Sequence, residues 1–243
     1  MEKQPKCSYC EIFGEKPHCH NCKINNKRII REPQEIPFSL EELIQYINSS
    51  ECILSEQLQI GDFKYIKLAS GEELKIILID FEKDTLPNNQ GKAKATFCAA
   101  YFGGKFELHD KYAGVYYESK MRNVYLPRIF QILPDSLKDS IKPVLKQMPK
   151  DEGGIVKIVQ EEEALWLFSV NEVLGQTSYT QGYTEEQYEG FEALARRYDY
   201  FAGAWTRSNK NQSHSTIYFY NDTTNLYAAS ANSYYKICFG FCI

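Results

Sequence analysis

Two cysteine pairs constrain the start of this chain more tightly than any other feature. Cys7-Ser-Tyr-Cys10 and Cys19-His-Asn-Cys22 are separated by eight residues. A C-x-x-C turn brings two thiolates together, and two such turns complete a tetrahedral zinc site. Cys7, Cys10, Cys19 and Cys22 are therefore expected to hold one structural Zn²⁺, because four thiolates leave no open position for a substrate. His18 and His20 are the alternative ligands. A redox dithiol pair is the competing reading, although no βαβ pattern surrounds either motif. The short spacing implies a compact knuckle over residues 1–34, closed by the stretch from Pro33 to Pro37. Its basic end, with Lys23, Lys27, Arg28 and Arg31, reads as a solvated linker. Contact with nucleic acid or a partner protein is the alternative.

Charge and hydropathy narrow the classes of partner. Lys and Arg number 28 against 32 Asp and Glu, for a net charge of −4, which gives little support to general nucleic-acid or anionic-membrane binding. No run approaches eighteen consecutive apolar residues, so no bilayer-spanning helix is expected. MEKQPKCSYC lacks the apolar stretch of a signal peptide, so Sec export is not expected. The expected location is intracellular. The oligomeric state is left open.

Beyond the cysteine module, residues 35–57 read as a linker helix. Ser39-Leu-Glu-Glu42 has capping-box spacing, and Leu40, Leu43, Ile44 and Ile47 share one helical face. From Ile60 the period changes to that of strands. Phe63 to Leu68 alternates, Ala69-Ser-Gly-Glu72 is a hairpin turn, and Leu74 to Asp80 is an apolar strand. A third strand follows from Ala95 to Tyr101. Asp80, Glu82 and Asp84 read as a strand-end turn, since a calcium loop would need a glycine and a terminal glutamate that this cluster lacks. Helical stretches are expected from Glu118 to Leu126 and from Pro134 onward, the second with Leu137, Ile141, Val144 and Leu145 facing inward. Lys150 to Gly154 is a turn, Leu165 to Ser169 a short apolar strand, and Gln187 to Tyr198 helical.

The tail has a composition of its own. Between Asn209 and Tyr235, nineteen of twenty-seven residues are Asn, Tyr, Ser, Thr, His or Asp. Tyrosine offers large amphipathic contact area at low entropic cost, and Ser and Asn offer adaptable hydrogen bonds. A polar sheet edge that binds nothing is the alternative. Trp205-Thr-Arg207-Ser208 and Ile237-Cys-Phe-Gly-Phe-Cys-Ile243 frame the run. Cys238 and Cys242, four apart on one strand face, read as small core hydrophobes, with pairing or metal binding as alternatives. Cys52 and Cys98 read as core. No Ser-His-Asp or Cys-His grouping is visible, and the four histidines, His109 and His214 among them, are scattered.

Four motifs in order carry a resemblance: Tyr117-Glu-Ser119-Lys-Met-Arg122-Asn-Val-Tyr-Leu126, Leu165-Trp-Leu-Phe-Ser-Val-Asn-Glu-Val-Leu-Gly175, Ala204-Trp205-Thr-Arg207-Ser208 and Lys236 to Ile243. Together they make residues 58–243 similar to an uncharacterised family of Firmicutes and phage proteins with a C-type-lectin-like fold, related to the formylglycine-generating-enzyme type. The chain departs from that family where Ala204 replaces a first Trp and where the closing strand lacks an Arg-Pro. The resemblance implies an α+β domain of small antiparallel sheets flanked by helices, and a display segment over 206–235. Some members are diversified there by retroelements that turn Asn-type codons into Tyr, Ser, Asp, His and Thr.

Trp205, Arg207 and Ser208 form the structural signature, with Trp205 in the core and Arg207 a buried or half-buried residue that forms an ion pair or binds a carbonyl; contact with a ligand is the alternative. The binding candidates are Asn209, Asn211, His214, Tyr218, Tyr220, Asn221, Asp222, Asn225, Tyr227, Asn232, Tyr234 and Tyr235. The expected function is non-enzymatic binding of a protein or glycan ligand by a phage-associated, diversified surface. One alternative is a regulatory or counter-defence protein that engages a host protein or nucleic acid through the zinc module. The other is an enzyme of the formylglycine-generating-enzyme superfamily.

Overall fold

The computed structural model describes residues 32–49, 54, 57–111, 113–175, 183–194, 203–209, 216–220 and 225–243, with the backbone alone at 101–103, 192–194, 216–220 and 225–226. The four cysteines expected to bind zinc lie outside these residues, as do His18, His20 and Cys52.

The first described helix, α1, runs Leu40–Asn48. Ser39 Oγ accepts from the backbone N–H of Glu42 while the Glu42 carboxylate accepts from that of Ser39. Two of the donors that a helix start leaves without partners are thereby bonded. Leu43 and Ile47 are buried, and Leu40 and Ile44 pack partly against the same core.

A five-stranded antiparallel sheet follows in the order β1-β2-β3-β10-β6. Its strands are β1 (Phe63–Lys67), β2 (Glu73–Phe81), β3 (Ala95–Glu107), β6 (Trp166–Leu167) and β10 (Tyr234–Cys242). Because side chains alternate across a strand, β10 sends Ile237, Phe239 and Phe241 into one core and Cys238 and Cys242 into another. In the same way β2 divides Leu74, Ile76 and Leu78 from Ile77 and Ile79. A sheet covered on both faces needs continuous apolar runs, which is what KIILI in β2 and ICFGFCI in β10 supply.

Between β3 and β10 the chain adds helices on both faces of this sheet and two smaller sheets. A π-turn at Met121–Tyr125 leads into α2 (Leu126–Ile132), and a single turn, α3 (Asp135–Lys138), follows. Here the structure differs from the sequence expectation. Val144 and Leu145 do not continue a helix but open β4 (Val144–Glu152), paired with β5 (Ile155–Glu163). Pro143 explains the change: it lacks an N–H and disfavours helical geometry at Lys142, whose N–H bonds the Cys242 carbonyl instead. The helices α4 (Val170–Leu174) and α5 (Glu189–Leu194) precede a three-stranded sheet of β7 (Trp205–Asn209), β8 (Thr216–Tyr220) and β9 (Asn225–Ala229). The molecule is thus mixed α+β with antiparallel sheets. No helix among the described residues is long and apolar enough to cross a membrane.

The cysteines on β10 are settled by register. Residues four apart on a strand stand about 13 Å from one another, far beyond disulfide reach, so Cys238 and Cys242 do not pair. Cys238 Sγ lies 3.5 Å from Cys98 Sγ across the β3–β10 ladder. Cys242 Sγ, on the same face further along the strand, lies 3.4 Å from Asp84 Oδ2.

Candidate functional site

Among the described residues, β7 joins a buried charge cluster to the small sheet that carries part of the tail's tyrosines. Trp205 heads the strand; it is buried, its indole N–H donates to the Phe106 carbonyl at 2.7 Å, and its ring meets Tyr235 edge-on at 4.8 Å. Two residues on, Arg207 is wholly buried. Its Nε donates to the Gln147 carbonyl at 2.8 Å and Nη1 to the Leu167 carbonyl and to Glu172 Oε2, the latter at 2.6 Å. Nη2 meets both oxygens of Glu185. Ser208 Oγ accepts the Val170 N–H at 3.0 Å, tying β7 to the start of α4.

Glu172 is placed by local chemistry. Ser169 and Glu172 form a second capping box, so the α4 N-terminus orients the carboxylate before any tertiary contact acts on it. From there it bridges two cations, Arg207 and Lys146, whose Nζ lies 2.8 Å from Glu172 Oε1. Lys146 projects from β4, a buried position on that strand, and also bonds Asp84 and the Tyr188 hydroxyl. The Tyr188 hydroxyl donates to Asp84 Oδ1 at 2.7 Å, and Thr96 donates to Asp84 Oδ2 at 2.6 Å. The Lys146 ammonium also sits 4.2 Å from the centre of the Trp166 ring.

Three carboxylates thus face two cations in a region from which water is largely excluded, where charges must be paired. Burial opposes the charge on Lys146, but Asp84 and Glu172 outweigh it and hold the ammonium's pKa above its ordinary range. Burial likewise pushes against the Glu172 carboxylate, yet Arg207 and Lys146 bring its pKa down to about 2. At Glu185 burial prevails over Arg207 and the pKa is raised. Burial, aided by the Asp84 charge, pushes both the Tyr188 hydroxyl and the Cys242 thiol well up, so both stay protonated at neutral pH. The three Nζ protons of Lys146 have three acceptors. The cluster acts as a brace joining β4, α4 and β7.

The brace predicts a pH profile with a definite sign. Because Glu172 has a folded pKa of about 2 against an ordinary 4.5, its contribution to stability is fully present above about pH 4.5. It is lost as the pH falls toward 2. Glu185, with its raised pKa, works in the opposite sense and returns some stability as the pH falls from neutrality toward its ordinary value. Urea midpoints measured between pH 5 and pH 2 should therefore fall steeply below pH 4.5, and Glu172→Gln should flatten that fall. An equally steep fall in the variant would assign it to other carboxylates.

A polar cleft of about 210 Å³ opens beside the brace, with Asp84, Lys146, Glu172 and Tyr188 toward its floor and Lys83 and Lys92 among its walls. Of the acidic run near the end of β2, Asp80 accepts the N–H groups of Phe81 and Glu189, while Asp84 is drawn into the brace. Among the described residues no group of three or more His, Cys, Asp or Glu side chains is arranged to hold a metal ion.

The tail residues differ in their surroundings. Asn209 is buried at the end of β7 and donates to the Gly114 carbonyl at 3.3 Å, while its Oδ1 has no protein partner. Tyr235 is half-buried against Trp205. Tyr227 and Tyr234 stand 51% and 61% exposed, and Asn232 is exposed on the turn before β10. Tyr218, Tyr220 and Asn225 occupy β8 and β9, where Tyr218 lies in register with Trp205 on one side and Tyr227 on the other. Asn211, His214, Asn221 and Asp222 lie outside the described residues.

Sequence reasoning did not assign Lys146, Asp84, Glu185 or Tyr188 to a site. Their sequence separations reach 104 residues in the Tyr188–Asp84 bond, and no local pattern encodes such a meeting. Glu172 did carry a signal, the Ser169-x-x-Glu172 spacing. No protein-family model, curated protein or solved structure matches this chain.

Proposed function

We propose that the chain is a non-enzymatic binding protein whose lectin-like C-terminal domain presents the 206–235 segment to a protein or glycan ligand. The observation that carries the reading is the pair of exposed tyrosines, Tyr227 and Tyr234, on strands adjoining a braced core. A paratope gains affinity when its aromatic side chains stand on a fixed frame, because less entropy is lost on binding. Here β7 is pinned by Trp205 and Arg207, and β10 is paired on both sides within the main sheet. In this reading the N-terminal cysteines form a Zn²⁺ module that attaches the domain to its carrier, and the tail is diversified between phage isolates.

The test is binding of the full chain to arrays of bacterial surface glycans and surface proteins, using a preparation whose zinc content is measured. One zinc per chain is expected. So is a specific ligand whose binding falls at least tenfold in the Tyr227→Ala, Tyr234→Ala double variant without a change in melting temperature. Binding that ignores both tyrosines would sink the assignment of the surface. Sequencing codons 206–235 across isolates should show substitutions confined to adenine-bearing codons while those for Trp205 and Cys238 to Ile243 stay fixed; uniform codons would remove the diversification.

A further inference from the structure

The polar cleft ends on a carboxylate that belongs to the protein itself. Arg207 does not line the cleft; Glu185 does, and it stands between the cavity and the guanidinium. Two arms of Arg207 are committed to the fold, Nε to the Gln147 carbonyl and Nη1 to the Leu167 carbonyl and Glu172. Nη2 is closed by Glu185 alone among the contacts the structure shows. We propose that Arg207 is a carboxylate-binding site which Glu185 fills as an internal surrogate, and that the carboxylate of a small ligand entering the cleft exchanges with it.

Three observations carry the exchange. A guanidinium edge is shaped for a carboxylate, so the incoming group repeats the geometry that Glu185 displays. Replacing one carboxylate by another leaves the charge of the buried cluster unchanged, so the desolvation cost of an unpaired Arg207 never arises. The strap that carries Glu185 is anchored at both ends by buried tyrosines, Tyr183 donating to the Arg207 carbonyl and Tyr188 to Asp84. Between them Glu185 Oε1 also accepts the Gln147 N–H, a bond that an incoming carboxylate can take over, and the remaining ties of this short stretch lie at the cleft mouth, where water can replace them. Thr184 exchanges two hydrogen bonds with the Gln147 amide at an exposed position, and Lys83 pairs with Glu186, whose side chain is 82% exposed. Such surface ties contribute little. The cleft volume of about 210 Å³ admits a small organic acid, and Lys83 and Lys92 add positive charge beside its path. This site does not depend on the tyrosine surface proposed above.

Acetate is the probe, with chloride at matched ionic strength as the control. In Glu185→Ala, which vacates the surrogate's place, acetate should raise the melting temperature saturably, by about 5 °C at a hundredfold excess over its dissociation constant. Glu185→Gln, whose amide refills the space, should show no such rise. In the unaltered protein, amide hydrogen exchange over residues 184–188 should increase saturably with acetate but not with chloride. If Glu185→Ala folds only when acetate is present, that too supports the site. Equal responses to acetate and chloride in Glu185→Ala, failure to fold in either salt, or unchanged exchange over the strap in the unaltered protein would overturn it.

Discussion

Replacing Arg207 by alanine should cost about 3–5 kcal/mol of folding stability, the range found when one partner is removed from a buried ion pair. The loss has two parts. Glu172 and Glu185 would remain in a site that excludes water, with only Lys146 left to offset them and Asp84 already drawing on the same ammonium. The carbonyls of Gln147 and Leu167 would also lose their donor. Arg207→Lys should recover part of the loss only, since a single ammonium cannot serve two carboxylates and two carbonyls in the directions that the guanidinium fork spans. Urea unfolding of the three proteins measures both effects. A cost below about 1 kcal/mol for the alanine variant would show that the cluster relaxes or hydrates, and the brace would lose its standing as a structural device. The Arg207 and Lys146 losses should not add, because both cations act on Glu172.

Gly240→Ala should be nearly as damaging, at about 3 kcal/mol, the upper end of what overpacking a core costs. Gly240 sits on β10 opposite Cys98 on one side and Trp166 on the other. A methyl group there would lie 2.7 Å from two carbons of the Trp166 indole and 2.8 Å from the Phe168 ring. Neither ring has room to move: Phe168 packs against Tyr188 and Phe191, and Trp166 against Phe168 and the Lys146 ammonium. The glycine is required by close approach, since its backbone is ordinary strand. A Gly240→Ala protein with an unchanged urea midpoint would mean that β6 can slide away from β10, and close approach would not be what requires the glycine.

Both predictions concern features of which the sequence shows one half. The signature of Trp205, Arg207 and Ser208 points to a buried or half-buried Arg207 that forms an ion pair or binds a carbonyl. Its acidic partners lie 35 residues away at Glu172 and 22 at Glu185, and nothing near Arg207 selects them over other acids. Gly240 reads as one small residue within an apolar strand. The rings that make it indispensable come from Leu165 to Ser169, brought alongside only when β6 adds to the sheet edge.

Local chemistry did determine much of the framework. Ser39 and Glu42 fix the start of α1 because each bonds the other's backbone, and the three strands β1 to β3 follow from alternation, a turn and two apolar runs. Pro143 was a legible stop, outweighed in the helical reading by the spacing of Leu137, Ile141, Val144 and Leu145. The tail's composition pointed to a surface, but composition is silent about direction. Within it, Asn209 turns inward and Tyr235 packs on Trp205, while Tyr227 and Tyr234 face out. Which face a residue takes depends on sheet register and on what covers the sheet, and both are set by strands distant in sequence. The sequence by itself determined the period of each element and the positions of its caps. Only tertiary structure decided which charges meet, because a buried ion pair is selected by the geometry of the elements that carry it.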